Sequence, residues 1–234
     1  MILYINGDSN AAGAEAVNPC AFAEDDRRYV SLGRRPHPDN ENVSFGAVLA
    51  DSLEWERFND SESAGGNDRI VRTTLKYLEK HRPDAILIGW TTWEREEWFH
   101  DGQWLQVNCS GKDSVPAELR DKYRNWVISQ SQRLNECEML WHDRIWNLHL
   151  KILELKIPHL FFNCYSHFHW IVSNNLPKYD WGPSYVSPYE KSGTYFNWLS
   201  SHGFDTVSPG SYHFGKEAHQ KWAEFLYPQL TRLL

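Results

Sequence analysis

Ile2-Leu-Tyr-Ile-Asn-Gly-Asp-Ser9 is the stretch from which the fold is read. Ile2 to Ile5 is a short apolar run rich in β-formers, and it stops at Asn6-Gly7-Asp8-Ser9. That pattern predicts a buried strand ending in a tight turn. Gly7 lets the backbone bend, which places Asp8 and Ser9 at the carboxyl edge of the strand. In open α/β sheets ligands bind at that edge. A serine there is a candidate nucleophile if a histidine can reach it. The same four residues also make an ordinary turn, since Gly, Asp, Ser and Asn are the usual turn formers.

The 234 residues suffice for one well-buried α/β domain, taken as residues 1–234. Net charge is −7 and no basic run exceeds two residues, which argues against sequence-independent nucleic-acid binding. No 18-residue apolar stretch predicts a membrane span, and no basic leader precedes the first strand, so the expected location is cytoplasmic as synthesised. Cys20, Cys109, Cys137 and Cys164 are scattered without a CxxC pair and read as thiols of a reducing compartment. Twelve Trp are the strongest compositional signal and point to a large aromatic surface or cleft.

Working outward from the first strand, Asn42 to Trp55 has helical spacing of Val43, Phe45, Val48, Leu49 and Leu53, and Glu56–Phe58 reads as a second strand. Asn67 is placed as the N-cap of a helix to about His81, and Asp84 to Gly89 is the clearest buried strand. Strand, helix, strand in that order predicts right-handed parallel βαβ units. Trp90 to Lys122 and Cys164 to Ser200 are two aromatic-rich irregular insertions. Between them Tyr123 to Leu155 reads as one or two amphipathic helices, followed by a strand at Leu160–Phe162; a terminal helix starts near Lys216.

The two ends together resemble the SGNH, or GDSL-type, hydrolase superfamily. Gly7-Asp8-Ser9 stands where that family has its nucleophile turn, and His213-Phe-Gly-Lys-Glu-Ala-His219 matches the spacing of its last histidines before the final helix. The resemblance implies a flavodoxin-like fold, a parallel sheet with helices on both faces, and serine-dependent ester hydrolysis without metal or organic cofactor. It implies Ser9 as nucleophile and His213 as its base. The family's acid, three residues before the histidine, is replaced by Gly210. Asp205, or a backbone carbonyl of the Pro209–Ser211 loop, is the expected substitute. The family's glycine block corresponds to Ala64-Gly65-Gly66-Asn67, and Thr91 stands where the oxyanion-binding asparagine would be. The expected oxyanion hole is therefore the amides of Ser9 and of Gly65 or Gly66, with the Thr91 hydroxyl. A likeness to uncharacterised bacteriophage proteins adds virion association and other phage structural proteins as expectations.

Aromatic faces stack on sugar rings, so an O-acetylated carbohydrate or another small ester is the expected substrate. Asp8, Asn10, Asn67, Trp90 and Trp93 are the expected substrate contacts. His167 and His169, two apart on a presumed strand, lack a third metal ligand by spacing. Glu94, Glu96 and Glu97 read as a solvated face at a helix start rather than a glycosidase pair. The rival reading is a binding or structural module in which Ser9 and His213 are relics. The Ser9–His213 distance separates the two.

Overall fold

The computed structural model describes residues 1–25, 35–109 and 115–234. The elements run β1 Ile2–Asn6, α1 Pro38–Glu41, α2 Phe45–Ser52, β2 Glu56–Asn59, α3 Asn67–Leu78, β3 Ala85–Trp90, β4 Glu96–His100, β5 Gln103–Val107, α4 Arg120–Glu154, β6 His159–Asn163, α5 His169–Ser173, α6 Tyr195–Ser201 and α7 Lys216–Thr231. The main sheet has the order β2-β1-β3-β6 and is parallel throughout. It is an α/β sheet covered on both faces, and strand order reverses beside β1. Such a crevice, outside the carboxyl ends of β1 and β3, is where doubly wound sheets bind ligands.

The strands alternate their burial between two cores, as a period of two requires. Leu3, Ile5, Leu87, Leu160 and Phe162 face α2, α6 and α7, with Phe45, Leu49, Tyr195, Leu199 and Trp222 packed onto them. Tyr4, Ile86, Ile88 and Phe161 face α3, α4 and α5, meeting Ile70, Trp141, Ile145, Leu148 and Ile171. The segment from Tyr123 to Leu155 is one helix. At 35 residues α4 is about 52 Å long. Its second half covers the sheet, and its first half carries Tyr123 and Trp126 to a third cluster with Trp98 and Val107. No described helix is long and apolar enough to cross a membrane.

Several local expectations are corrected. Glu94 to Glu97 do not start a helix. Glu96 and Glu97 lie on β4, paired with β5 through a two-residue turn at Asp101-Gly102, both with positive φ (47° and 75°). Gly66, not Asn67, is the N-cap of α3. His169 opens α5 rather than sharing a strand face with His167. The second insertion contains α5 and α6.

Three buried histidines make acid stability predictable. His149 Nδ1 lies 2.8 Å from His159 Nε2, and His159 Nδ1 lies 3.1 Å from the Ile157 carbonyl. The carbonyl only accepts, so His159 donates to it and receives from His149, and both rings are neutral. Burial pushes His159 down to about 4 and His219 down to about 3, and it also lowers His149. Their unfolded pKa is about 6.5, so below that value the unfolded chain binds more protons than the folded one. Stability from these rings is complete above about pH 7 and falls as pH drops from 6.5 toward 4. The limiting slope is about 1.4 kcal/mol per pH unit per ring. Urea midpoints at pH 7, 6 and 5 should fall in that order, and a midpoint that does not move would contradict it.

Candidate active site

β1 ends in a clamp. The Asn6 amide, fully buried, donates to Tyr4 Oη (2.9 Å), Thr73 Oγ1 (2.8 Å), Thr74 Oγ1 (3.0 Å) and the Ile70 carbonyl (3.2 Å). A Cβ on Gly7 would lie 2.6 Å from Ala11 Cβ, so the turn closes only with glycine. Successive turns follow, from the Ala12 amide to the Asp8 carbonyl (3.0 Å) and from the Ala14 amide to the Ser9 carbonyl (2.9 Å). They present Ser9 at the edge of the sheet.

Ser9 Oγ lies 2.8 Å from His213 Nε2. His213 Nδ1 lies 2.6 Å from Glu15 Oε2, and Ser211 Oγ donates to the same oxygen at 2.6 Å. The His213 amide donates in turn to Ser211 Oγ (3.0 Å). A carboxylate only accepts, so the Nδ1 proton points at Glu15 and leaves Nε2 to accept from the serine. Partial burial pushes the Glu15 carboxyl up, but the hydrogen bonds from Ser211 and His213 and the charge of His213 outweigh it, and its pKa is lowered.

Glu15 corrects the expectation for Asp205. Asp205 is exposed and contributes nothing at His213 Nδ1, and no carbonyl of Pro209–Ser211 does so either. Glu15 reaches the ring because its own backbone is left-handed (φ 63°) two residues after Gly13 (φ 71°). Such a backbone costs a non-glycine residue about 1–2 kcal/mol, and strain of this kind collects at functional sites. Asn40 fixes the following segment, accepting from the Val17 (3.0 Å) and Asn18 (2.8 Å) amides and donating to the Asn18 and Cys20 carbonyls (2.9 Å each). A Cβ on Gly13 would lie 2.5 Å from the Asn40 carbonyl oxygen. The sequence signal was thin: Asp8 and Glu15 are the only acids between residues 8 and 23.

The other expected residues are placed differently. Asp8 is fully buried; Oδ1 accepts from the Asn10 amide (2.9 Å) and side chain (3.0 Å), and Oδ2 from Thr91 Oγ1 (2.7 Å) and Arg95 Nη1 (3.2 Å). Thr91 has thus spent its hydroxyl and is buried. The Gly65 amide donates to the Glu62 carbonyl (2.9 Å) and the Gly66 amide to Gln106 Oε1 (2.9 Å), so neither is open to an oxyanion. Asn67 is buried and clamps the turn after β3: its Oδ1 accepts from the Thr91 amide (3.0 Å), and its Nδ2 donates to the Thr92 carbonyl (3.3 Å). Asn10 is buried and donates to Tyr165 Oη (2.8 Å). Trp90 is wholly in the core, and Trp93 stacks on Phe168 at 4.9 Å. These eight residues are buried and build the walls of the site.

Ser9 and His213 open onto a cleft of about 620 Å³. Phe22, Tyr165 and Tyr212 supply its aromatic surface, and Ser63, Ala64, Thr92 and Arg95 also line it. Arg95 and Gln106 come from the first insertion, whose hairpin reaches back over the glycine block. Gln106 Nε2 donates to Glu97 Oε1 (2.6 Å), and Arg72 holds Glu97 with two bonds of 2.7 Å.

Among solved structures, the chain is similar to a protein of the G-D-S-L family from Desulfitobacterium hafniense DCB-2. Identity is 12%, the TM-score is 0.39, and the match covers 100% of this chain and 99% of that one. It is similar to the psychrotrophic esterase EstA from Pseudoalteromonas sp., with 12% identity, a TM-score of 0.42, and 99% and 97% covered. It is also similar to a carbohydrate esterase family 2 enzyme of Corynascus thermopiles, with 12% identity, a TM-score of 0.41, and 99% and 66% covered. Likenesses this distant leave the activity to be read from the site's own geometry. No curated protein matches the sequence. Residues 27–169 match a family described as "Family of unknown function (DUF6071)", a segment that includes Gly65, Thr91 and Arg95 but not Ser9, Glu15 or His213. The match covers more than half of the sequence, and the chain belongs to this family, DUF6071.

Proposed function

We propose that the protein is a serine ester hydrolase that works through Ser9, His213 and Glu15. The observation that carries this reading is the hydrogen-bonded chain from Ser9 Oγ through both imidazole nitrogens to Glu15, at 2.8 and 2.6 Å. Ser9 attacks the ester carbonyl and His213 takes its proton at Nε2. Glu15 steadies the imidazolium through Nδ1, and the imidazolium then protonates the departing alcohol. Water then attacks the acyl carbon as His213 Nε2 takes its proton, and the imidazolium returns that proton to Ser9 Oγ as the acyl–oxygen bond breaks and the acid leaves. A relic site would have the space between Ser9 and His213 filled by a packed side chain; direct contact favours the catalytic reading.

An O-acetylated carbohydrate is the substrate class the cleft suits best. Small residues, Ser63, Ala64 and Thr92, line it together with aromatic ones. Tyr212 at its lip is 69% exposed, and a ring free at one face can stack on a sugar. The test uses p-nitrophenyl acetate and a fluorophosphonate. The protein should hydrolyse the ester, and one equivalent of fluorophosphonate should attach to Ser9 and stop it. Labelling at another residue, or no hydrolysis, would reject the reading. Acetate release from an acetylated xylan oligomer then tests the substrate class, with p-nitrophenyl acetate as the internal control.

A further inference from the structure

The three oxyanion donors expected beyond the Ser9 amide are all engaged elsewhere, yet the cleft holds a cation at the same place. Arg95 lies between β3 and β4. Its Nη1 is 3.2 Å from Asp8 Oδ2 and 3.3 Å from the Gly65 carbonyl oxygen. Asp8 immediately precedes Ser9, and Gly65 immediately follows Ala64. One nitrogen therefore bridges the nucleophile turn and the glycine block, the two segments between which an acyl oxygen would be held. The side chain is about four-fifths buried, at 19% exposure, and lines the same cleft as Ser9, Ala64 and His213.

Donors remain available around it. Among the described residues, nothing accepts from Arg95 Nε or Nη2, nor from the amides of Ser9 and Ala64. Ala64 holds a left-handed backbone (φ 59°), a conformation a non-glycine residue keeps only where its surroundings enforce it. Thr92 Oγ1 and Ser63 Oγ are buried in the same wall without a partner. Buried polar groups are nearly always hydrogen-bonded, so these unpartnered ones ask for a water or a ligand group.

We propose that Arg95 is a catalytic residue, the charged member of the oxyanion site, acting with the amides of Ser9 and Ala64. This rests on the ester-hydrolase reading. A guanidinium carries a positive charge and only donates hydrogen bonds. The ester carbonyl is neutral, and its oxygen gains a full negative charge only when the Ser9 Oγ–carbon bond forms and the carbonyl π pair moves onto oxygen. Arg95 therefore binds the tetrahedral intermediate more strongly than the substrate, which raises kcat rather than lowering KM. Asp8 aims the guanidinium and balances its charge while the cleft is empty.

The competing role for Arg95 is to neutralise buried Asp8, and a double-variant cycle separates the two. The assay measures kcat and KM for p-nitrophenyl acetate, with urea midpoints, on wild type, Arg95→Gln, Asp8→Asn and the double variant. Arg95→Gln should lower kcat by about 10²–10³ with KM within about threefold. The double variant removes both charges and should regain the midpoint lost by Arg95→Gln, yet remain as slow. A double variant within about tenfold of wild-type kcat would overturn the proposal, because charge balance alone would then account for Arg95. Wild type that hydrolyses the ester and takes the fluorophosphonate on Ser9, with Arg95→Gln equally fast, overturns the role of Arg95 and leaves the hydrolase standing. Wild type that does neither overturns both.

Discussion

Glu15→Gln should lower kcat for p-nitrophenyl acetate by about 10³–10⁴, with the fold and KM little changed. Removing the orienting carboxylate while keeping its shape costs about four orders of magnitude in a serine triad, because the ring then settles in the wrong tautomer. Here the amide nitrogen of the variant could point at Nδ1, which would have to accept, and Nε2 would carry the proton. A protonated Nε2 cannot take the proton of Ser9 Oγ, 2.8 Å away. The Ser211 hydroxyl donates to the same Glu15 oxygen and favours an acceptor at that place, which pulls the expected loss toward the lower end of the range. A loss of 10⁴ corresponds to about 5 kcal/mol of transition-state stabilisation. Asp205→Asn in the same assay should cost less than about tenfold. If the two substitutions exchanged effects, the acid would be Asp205 and the assignment of Glu15 would fall.

Arg69→Met should be the most damaging change outside the triad, and its damage should appear in stability. Arg69 is buried, with Nε 2.8 Å from Glu62 Oε2, Nη1 2.7 Å from the Asp60 carbonyl and Nη2 3.3 Å from Asp60 Oδ1. Methionine fills similar volume but leaves the buried Glu62 carboxylate without its arginine. Breaking one side of a buried pair typically costs about 3–5 kcal/mol, a large share of the 5–15 kcal/mol that hold a typical domain. The segment affected also shapes the cleft. The Asp60 amide donates to the Ile5 carbonyl (2.9 Å) and the Glu62 amide to the Gly7 carbonyl (3.2 Å), which extends the β1–β2 alignment toward Ala64. Urea unfolding at pH 7 should show a lower midpoint with an unchanged slope. Glu62→Gln added to Arg69→Met should recover part of the loss. A change below about 1 kcal/mol would show that the Arg69–Glu62 pair is not structural.

The sheet was readable because buried parallel strands are short apolar runs bounded by turns, and Ile2–Ile5 and Asp84–Gly89 are clear examples. Ser9 and His213 were readable because each sits in a short motif beside such an element. Glu15 was not. Its role depends on two left-handed residues and on Asn40 fixing the chain after it, and none of these produces a periodic signal in Ala11-Ala-Gly-Ala-Glu15. The tryptophans misled for a different reason. Composition counts side chains without direction, and the strand period sends Trp90 into the core whatever its affinity for sugar. The hairpin, by contrast, did carry a signal: Asp101-Gly102 between Trp98 and Trp104 is the dipeptide that two-residue β-turns prefer.

The placement of the triad along the chain has a consequence for biosynthesis. Serine and glutamate leave the ribosome together, six positions apart, whereas the imidazole follows 204 positions after the serine. At roughly 5–20 residues per second, the nascent chain spends on the order of 10–40 s holding Ser9 and Glu15 without His213. The α7 helix, whose Trp222 and Leu226 complete one of the two cores, emerges later still. On the proposed mechanism, hydrolytic competence therefore arrives in one step after position 213 is made, and a ribosome stalled before it would carry an inert serine. Stalled complexes released in order of length should switch on between those that end before His213 and those that extend past α7.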